Sequence, residues 1–320
     1  MVLSLILTAN CVGCGTKTSL KEPYDPVLSS EQYGIGRSDT TAGGKTGFFA
    51  EQLCVGGNED LLSDSVNADL SKAAGLFNVS DHEILYARNI HERLYPASTT
   101  KVLTAYLALK YGDLSALTTV SAGALVLEEG STLCGLHEGD ILSLEQLLYG
   151  LLMCSGNDAA NVIAETISGS QEAFASLMNE ECRKLGATNS HFVNAHGLHN
   201  EDHYTTAYDL YLIFKAALSY DKFREIISCQ SYTSTYTDRN GDAVMNIYGT
   251  TNKYLRGERT SPAHVTVIGG KTGTTFMAGY CLVLLSTNSL GEDFISIVLK
   301  GSSRDNLYDE MTQLLELVPS

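Results

Sequence analysis

Two side chains in the segment PASTTKVLTA (96–105) have the types and the spacing needed for nucleophilic catalysis. Ser98 and Lys101 are three residues apart, so on a helix they share one face, with their Cβ atoms about 5–6 Å apart. A serine hydroxyl is a weak nucleophile until a base removes its proton, and an uncharged lysine amine is such a base. The same spacing also fits a serine that caps a helix and a lysine that points into solvent, so the pair alone does not establish a catalytic site.

Lys101 can act as a base only if its surroundings favour the uncharged amine. A lysine with the ordinary pKa of about 10.4 is neutral about 0.04% of the time at pH 7. Lowering that pKa to about 7 requires roughly 4.6 kcal/mol of destabilisation of the ammonium. Burial and a second cation both act in that direction, and Lys271 is the candidate cation. Ser98 would lie in the first helical turn, where unpaired N–H groups favour developing negative charge.

Lys271 belongs to the sequence GGKTG, which the chain contains twice, at 43–47 and at 269–273. The first copy lies in a stretch from residue 15 to about 57 that is rich in Ser, Thr, Gly and Asp, a composition typical of a flexible tether. A tether cannot hold a catalytic lysine in place, so Lys45 is predicted to have no catalytic role. The second copy lies between HVTVIG and AGYCLVLLSTN, two apolar runs of strand length, which predicts a rigid strand around Lys271.

Strands are predicted at both ends of the domain that must position these residues. AAGLFNV and EILYAR lie near residues 73–90, and three strands joined by short connections run from HVTVIG to EDFISIVLKG, followed by the helix SRDNLYDEMTQLLEL. Between them, LSLEQLLYGLLMCSG, NDAANVIAETIS, SQEAFASLMNEECRKLG and TTAYDLYLIFKAALSY have helical spacing, with Gly186 and Thr206 as caps. We predict an α+β fold with an antiparallel sheet built from both chain ends around a helical insertion.

A third motif, Ser155-Gly156-Asn157, stands between two apolar helices; alone it is a turn with an asparagine cap. In chain order the motifs are S-x-x-K, S-x-N and K-T-G, a signature of penicillin-recognising enzymes. PASTTKVLTA, LLYGLLMCSGNDAANVIAE, FVNAHGLHNEDHYTTAYDL, GGKTGTT and AGYCLVLLS resemble blocks of the serine D-alanyl-D-alanine carboxypeptidases, the low-molecular-mass penicillin-binding proteins. The resemblance runs from about residue 70 to the C-terminus.

The resemblance implies a β-lactamase/transpeptidase-like fold and a penicillin-sensitive hydrolase. Its substrate would be the terminal D-Ala-D-Ala bond of peptidoglycan stem peptides, cleaved through an acyl-enzyme on Ser98, with β-lactam antibiotics as covalent inhibitors. If the motifs converge, Lys101 is the base and Lys271 the second cation. Asn157 would then orient Lys101 and the substrate amide, and Ser155 would pass a proton to the leaving amine.

The remaining site residues are expected to bind the substrate. Lys271 and Thr272 would hold its carboxylate, and Gly273 would let the strand approach the substrate backbone closely. By resemblance, the oxyanion hole consists of the backbone N–H groups of the catalytic serine and of Thr274. Arg304 matches the position of a basic residue that the family often uses for the terminal carboxylate.

Two other functions are compatible with these motifs. A β-lactamase of the most similar class has a glutamate that activates the deacylating water. The stretch SHFVNAHGLH, where that glutamate should fall, has none, and Glu201 just beyond it is the only candidate. A catalytically silent sensor that binds penicillin or peptidoglycan is the other alternative, and the intact motifs argue against it.

Composition limits the function further. The 320 residues are 44% apolar and 18% charged, which supports a large folded core. The formal net charge of −16 argues against nucleic acid as a partner. The spacings within the group His191, His196, His199 and His203 match no metal motif, so no metal or other cofactor is predicted. The eight cysteines are scattered, several of them in apolar runs, which predicts mostly free, buried thiols with room for one bridge.

The N-terminal sequence MVLSLILTANCVGCG is a short apolar run ending in small residues. A membrane span needs about 20 apolar residues, so the run is interpreted as part of a secretory signal, although the usual basic residues before it are missing. Cys14 fits a lipidation site better than Cys11, and a plain cleaved signal is the alternative. We predict a signal segment (1–14), a flexible tether (15–65) and a catalytic domain (66–320) in the bacterial cell envelope. Because the sequence ends directly after its last helix, membrane attachment is expected only at the N-terminus.

Overall fold

The structure, a computed structural model, describes residues 52–320, so the predicted signal, Cys14 and the first GGKTG lie outside the described residues. The strands are β1 (Ala73–Asn78), β2 (Glu83–Arg88), β3 (Leu117–Thr119), β4 (Ile141–Ser143), β5 (Ser231–Thr237), β6 (Ala243–Gly249), β7 (Val265–Thr275), β8 (Gly279–Asn288) and β9 (Asp293–Gly301). The helices are α1 (Lys101–Tyr111), α2 (Leu144–Tyr149), α3 (Asn157–Ser168), α4 (Gln171–Leu185), α5 (Ala207–Ala217), α6 (Asp221–Ser228) and α7 (Arg304–Glu316).

The larger sheet has the strand order β2-β1-β9-β8-β7, and every pair in it is antiparallel. β1 and β2 precede helices α1 to α6 in the chain and β7 to β9 follow them, which confirms the predicted sheet. Alternate residues of β8 face opposite sides, as the two-residue repeat of a strand requires. Leu282 and Leu284 pack in the cluster that contains the apolar residues of α7, and Val283 and Leu285 pack in the cluster of the helical layer.

A second, four-stranded sheet with the order β3-β4-β5-β6 was not predicted. β3 and β4 have three residues each, which is too short for a periodic pattern. β5 has the sequence SYTSTYT and contains no aliphatic residue. Its position depends on tertiary contacts, such as the stacked rings of Tyr149 and Tyr232, whose centroids are 3.6 Å apart.

The helix ends agree with the predicted caps. Gly186 follows α4 in the left-handed conformation, with φ of 80°, and the Thr206 hydroxyl accepts the N–H of Asp209 at the start of α5. Ser143 and Gln146 form a capping box at the start of α2. No helix within residues 52–320 is long and apolar enough to cross a membrane.

The folded unit begins earlier than the predicted boundary at residue 66. The compact unit extends over Gln52–Ser320, so residues 52–65 belong to it and not to a tether. Cys54 is fully buried, its N–H donates to the Tyr211 hydroxyl (2.9 Å), and its thiol donates to the Asn78 carbonyl (3.2 Å). These partners are distant in sequence, so the polar, glycine-rich sequence of residues 52–65 did not indicate the contacts.

Candidate active site

Ser98 lies where the chain enters the first long helix. Ala97–Thr100 form one 3₁₀ turn directly before α1, which begins at Lys101. Ala97 has φ of +49°, a left-handed conformation that is costly for a residue other than glycine. Gly197 packs against this turn so closely that a Cβ atom on it would lie 1.9 Å from the Ala97 carbonyl oxygen. The backbone before Ser98 is therefore held in a strained conformation by close packing.

Lys101 is fully buried, and its Nζ atom has three oxygen partners. Nζ lies 2.9 Å from Ser98 Oγ, 2.7 Å from Asn157 Oδ1 and 2.7 Å from the backbone oxygen of His196. Burial, and after it the charge of Lys271, hold the pKa of Lys101 well below its ordinary value. The predicted base is thus in contact with the serine and favours the uncharged form.

The Ser155-Gly156-Asn157 motif joins two helices, as predicted. After α2 the chain makes a five-residue π-helical turn, Gly150–Cys154, a rare element that often occurs at functional sites. Ser155 then has φ of 66° in the left-handed region, and Asn157 begins α3. The backbone therefore changes direction between Ser155 and Asn157, and their side chains contact different lysines. Asn157 contacts Lys101, and Ser155 contacts Lys271.

Lys271 is the second buried lysine and lies on β7. Its Nζ donates to Ser155 Oγ (2.9 Å) and to the Thr272 carbonyl (2.8 Å). Burial lowers the pKa of Lys271 to about 7. A Cβ atom on Gly273 would lie 2.8 Å from the backbone nitrogen of Ser98, so only glycine lets β7 pass this close to the serine.

One cleft opens over the three motifs. Its walls include the predicted residues Ser98, Ser155, Thr272, Gly273, Thr274 and Arg304. Lys101 and Lys271 are buried and bond Ser98 and Ser155 of these walls, and Asn157, also buried, bonds Lys101. Thr274 is exposed, and Arg304, the first residue of α7, has its guanidinium 6.0 Å from the centre of the Tyr280 ring. The structure thus brings all the predicted site residues to one place.

The region of this chain that matches a known family contains all three motifs, and Arg304 directly follows its last residue. A family model described as D-alanyl-D-alanine carboxypeptidase, peptidase family S11, matches residues 63–303, which is most of the chain. The chain belongs to the D-alanyl-D-alanine carboxypeptidase family. This confirms the family that the three motifs predicted.

Curated members of this family are similar over the same region. D-alanyl-D-alanine carboxypeptidase DacF of Bacillus subtilis is 32% identical over 252 residues, which are 77% of this chain and 61% of the relative. DacC of Escherichia coli is 32% identical over 283 residues, 84% of this chain and 64% of the relative. The chain therefore spans less than two thirds of the length of these two relatives. The carboxypeptidase of Streptomyces sp. strain K15 is 31% identical over 242 residues, 72% of this chain and 81% of the relative.

Solved structures confirm the β-lactamase/transpeptidase-like fold. The Streptomyces K15 DD-transpeptidase has a TM-score of 0.72 and 28% identity, covering 78% of this chain and 96% of that chain. A putative penicillin-binding protein homolog from Mycobacterium tuberculosis, Rv2911, has a TM-score of 0.69 and 26% identity, covering 79% of this chain and 92% of that chain.

Several residues of the cleft in this family member were not selected from the sequence. Thr251 Oγ1 lies 2.6 Å from Thr272 Oγ1, and Lys253 and Arg256 line the same cleft. A signal for the two basic residues existed, because NKYLRGER concentrates basic residues in an acidic chain. Lys253 is only loosely paired, with its Nζ 3.3 Å from Asp305.

Two of the clustered histidines have structural contacts. His196 contributes its backbone oxygen to Lys101, and His203 Nε2 lies 2.8 Å from the Thr100 hydroxyl. Burial lowers the pKa of both imidazoles to about 3, so both are uncharged at neutral pH. Within residues 52–320, no three His, Cys, Asp or Glu side chains are grouped to hold a metal ion.

Proposed function

We propose that this chain is a serine D-alanyl-D-alanine carboxypeptidase that removes the terminal D-alanine from peptidoglycan stem peptides through an acyl-enzyme on Ser98. β-Lactams would acylate the same serine. The observation that carries the proposal is the 2.9 Å contact between Ser98 Oγ and the buried Nζ of Lys101. Membership of the family supports the substrate class.

The partners of Lys101 fit an uncharged amine. Such an amine has two N–H donors and a lone pair, whereas an ammonium has three donors and no acceptor. Asn157 Oδ1 and the His196 carbonyl only accept, so they take the two N–H groups. The third partner, the Ser98 hydroxyl, lies 2.9 Å from Nζ and is able to donate its proton to the lone pair of an uncharged amine. We assign to Lys101 the role of the base that takes this proton as Oγ attacks the substrate carbonyl.

Acylation then follows from the surrounding groups. Attack forms a tetrahedral intermediate whose oxyanion accepts from the backbone N–H groups of Ser98 and Thr274. The C–N bond breaks as the amine takes the proton that Lys101 had accepted, passed on through the hydroxyl of Ser155, and D-alanine leaves with Lys101 uncharged again. Water then attacks the remaining ester, Lys101 accepts a proton from it, and Lys101 returns that proton to Ser98 Oγ as the peptide acid departs. Lys271, 2.9 Å from Ser155 Oγ, orients that hydroxyl.

The free carboxylate of the substrate requires polar and cationic contacts. We assign these to Lys271, Thr272 and Arg304. Lys253 and Arg256 place further positive charge on the wall that contains Thr272 and Arg304. Glu258 lines the same cleft and pairs with Arg256 (2.6 Å), so the excess positive charge comes from the remaining cations. Such an excess in a chain of net charge −16 supports recognition of a peptide that ends in a free carboxylate.

Neither alternative has comparable support. Glu201, the residue considered for a β-lactamase, is exposed and is not among the residues that line the cleft. A sensor that binds its ligand without acylation has no use for a buried lysine against its serine, because burying an amine costs free energy. A sensor that penicillin acylates would need the same base, and the release of D-alanine separates it from a carboxypeptidase.

A penicillin label and a peptide substrate together test the proposal. A fluorescent penicillin is expected to label the purified full-length protein on Ser98, and diacetyl-L-lysyl-D-alanyl-D-alanine is expected to release D-alanine. Ser98→Ala should abolish both, because the nucleophile is gone. Ser289→Ala, an exposed serine between β8 and β9, is the matched control and should retain both. Labelling without release of D-alanine would contradict a carboxypeptidase and favour a sensor, and release by Ser98→Ala would contradict the assigned nucleophile.

We also propose that the protein is exported and anchored by lipid on Cys14. The support lies in the sequence, where a short apolar run is followed by Val12, Gly13 and Cys14. One acyl chain binds a membrane only marginally, whereas the two chains of a diacylglycerol anchor it stably. An extracytoplasmic position agrees with a peptidoglycan substrate.

Cys14→Ser is expected to move the protein from the membrane fraction to the medium, because the site of lipid attachment is lost. Penicillin labelling should not change, and fractionation followed by labelling measures both properties. Cys11→Ser is the matched control and should remain in the membrane fraction. Wild-type protein found free in the medium with its N-terminus at Gly15 or later would instead show a plain cleaved signal.

A further inference from the structure

Two thiols face each other beside the catalytic cleft. The Sγ atoms of Cys134 and Cys154 are 3.3 Å apart. Cys154 is half-buried and lines the cleft next to Ser155, whereas Cys134 is buried. The mechanism proposed above uses neither thiol.

The Cys134 sulfur packs against two glycines, Gly150 and Gly156. A Cβ atom on Gly150 would lie 2.5 Å from this sulfur, and one on Gly156 would lie 2.0 Å from it, so a side chain at either glycine would collide with it. The buried Asp158 carboxylate accepts the backbone N–H of Cys134 (2.8 and 2.9 Å). The loop that carries Cys134 is thereby fixed to the start of α3, directly after the catalytic motif.

The same loop reaches the cleft. The Thr132 carbonyl accepts the N–H of Asn157 (2.8 Å), and Thr132 itself lines the cleft. A covalent bond between Cys134 and Cys154 would therefore join two segments that both border the catalytic residues.

We propose that Cys134 and Cys154 form a reversible thiol–disulfide site that responds to small disulfides and that its oxidation suppresses acylation of Ser98. The effect on acylation rests on the function proposed above, but formation of the bond does not.

Cys154 is the thiol that reacts first. It is reached through the cleft, and the hydrogen bond from Cys134 lowers its pKa, while burial raises the pKa of Cys134. The Cys154 thiolate attacks one sulfur of a small disulfide and releases a small thiolate. Cys134 then loses its proton and attacks the Cys154 sulfur, which releases the second small thiol. Two protein thiols are oxidised to one disulfide, and one small disulfide is reduced to two thiols.

The bond displaces catalytic groups. The sulfur atoms must approach from 3.3 Å to about 2.05 Å, and Cys154 must lose its contact with the Gly150 carbonyl (3.1 Å). Ser155, the next residue, is already strained and bonded to Lys271. A displacement of about 1 Å in a catalytic site can cost about 100-fold in rate.

The test exposes the protein to a large excess of oxidised dithiothreitol, because this cyclic disulfide is a weak oxidant. Its two sulfurs leave together as one dithiol, and on a lone cysteine it re-closes and leaves no adduct. Free thiols are then alkylated, and the protein is digested after glutamate, which separates the two cysteines at Glu138 and Glu145. We expect a cross-linked Cys134–Cys154 peptide pair, a fall in penicillin labelling of at least about tenfold and recovery with reduced dithiothreitol. Absence of the cross-link, or unchanged labelling of the cross-linked protein, would overturn the proposal.

Matched variants separate this site from other thiols. Cys134→Ser, outside the cleft, should label normally before and after oxidation, whereas Cys229→Ser, which removes another half-buried thiol, should retain the wild-type response. If Cys134→Ser does not fold, Cys154→Ala gives a second comparison of oxidised and reduced protein, and loss of labelling on its oxidation would contradict the assignment. Cross-linking of a protein that never releases D-alanine would reject the proposed function and leave the disulfide site standing.

Discussion

Lys101→Arg is expected to abolish acylation of Ser98 while leaving the fold intact. A guanidinium does not lose its proton in proteins, so the variant has no lone pair for the Ser98 proton. Arginine would still donate to Asn157 Oδ1 and to the His196 carbonyl, the two acceptors that surround the amine. The loss should therefore appear in the chemical step, measured as single-turnover labelling by a fluorescent penicillin.

The control for this variant lies on the same helix. Lys110 has a partly exposed side chain paired with Glu181, so Lys110→Arg should label at the wild-type rate. Circular dichroism and melting curves check that both variants are folded. Near-normal labelling of folded Lys101→Arg would show that another group is the base.

Lys271→Ala is expected to lower acylation at least about 100-fold, the scale of losing a transition-state contact. The variant loses the cation that bonds Ser155 and that we assign to the substrate carboxylate. Lys45→Ala changes the same residue type in the same five-residue sequence and should leave labelling unchanged. Equal losses in the two variants would contradict the distinction between the two GGKTG copies.

The same variant has a pH signature. The charge of Lys271 is the second cause, after burial, of the low pKa of Lys101. Removing that charge raises the pKa of Lys101, so a higher pH is needed to obtain the uncharged base. The residual activity of Lys271→Ala should therefore have its acidic limb at higher pH than the wild type, as measured by labelling rates across the pH range. An acidic limb at the same pH as in the wild type would show that the charge of Lys271 does not influence the pKa of Lys101.

The sequence was informative where the determinants are local. The i, i+3 spacing of Ser98 and Lys101 required only one helical turn, and the 2.9 Å contact follows from it. The β7–β9 meander was predicted because each strand is an apolar run with a short connection. Gly186 and Thr206 act as caps through their own backbone and side-chain chemistry.

Contacts between distant segments were not predictable in the same way. The His196 carbonyl that accepts from Lys101 is a backbone atom of an irregular segment, and nothing in its residue type indicates the contact. Thr251 reaches Thr272 across more than twenty residues, and Cys54 is buried by partners on other elements. Strands β3 and β4 exist because neighbouring strands pair with them, not because three residues favour a strand.

The order of strands in the large sheet has a consequence for when the candidate site is completed. Ala73 in β1 pairs with Leu299 in β9, and most of the domain lies between these two residues in the chain. Pairing between strands so distant in sequence is slow, because the long intervening segment must be ordered first. β7, which carries Lys271, is connected to β1 only through β8 and β9. In a growing or unfolded chain, Ser98 and Lys101 are already adjacent, but water surrounds the amine and its pKa is ordinary. Lys271 comes with these late strands, so the part of the lowering of the Lys101 pKa that its charge causes is acquired only when the sheet is complete.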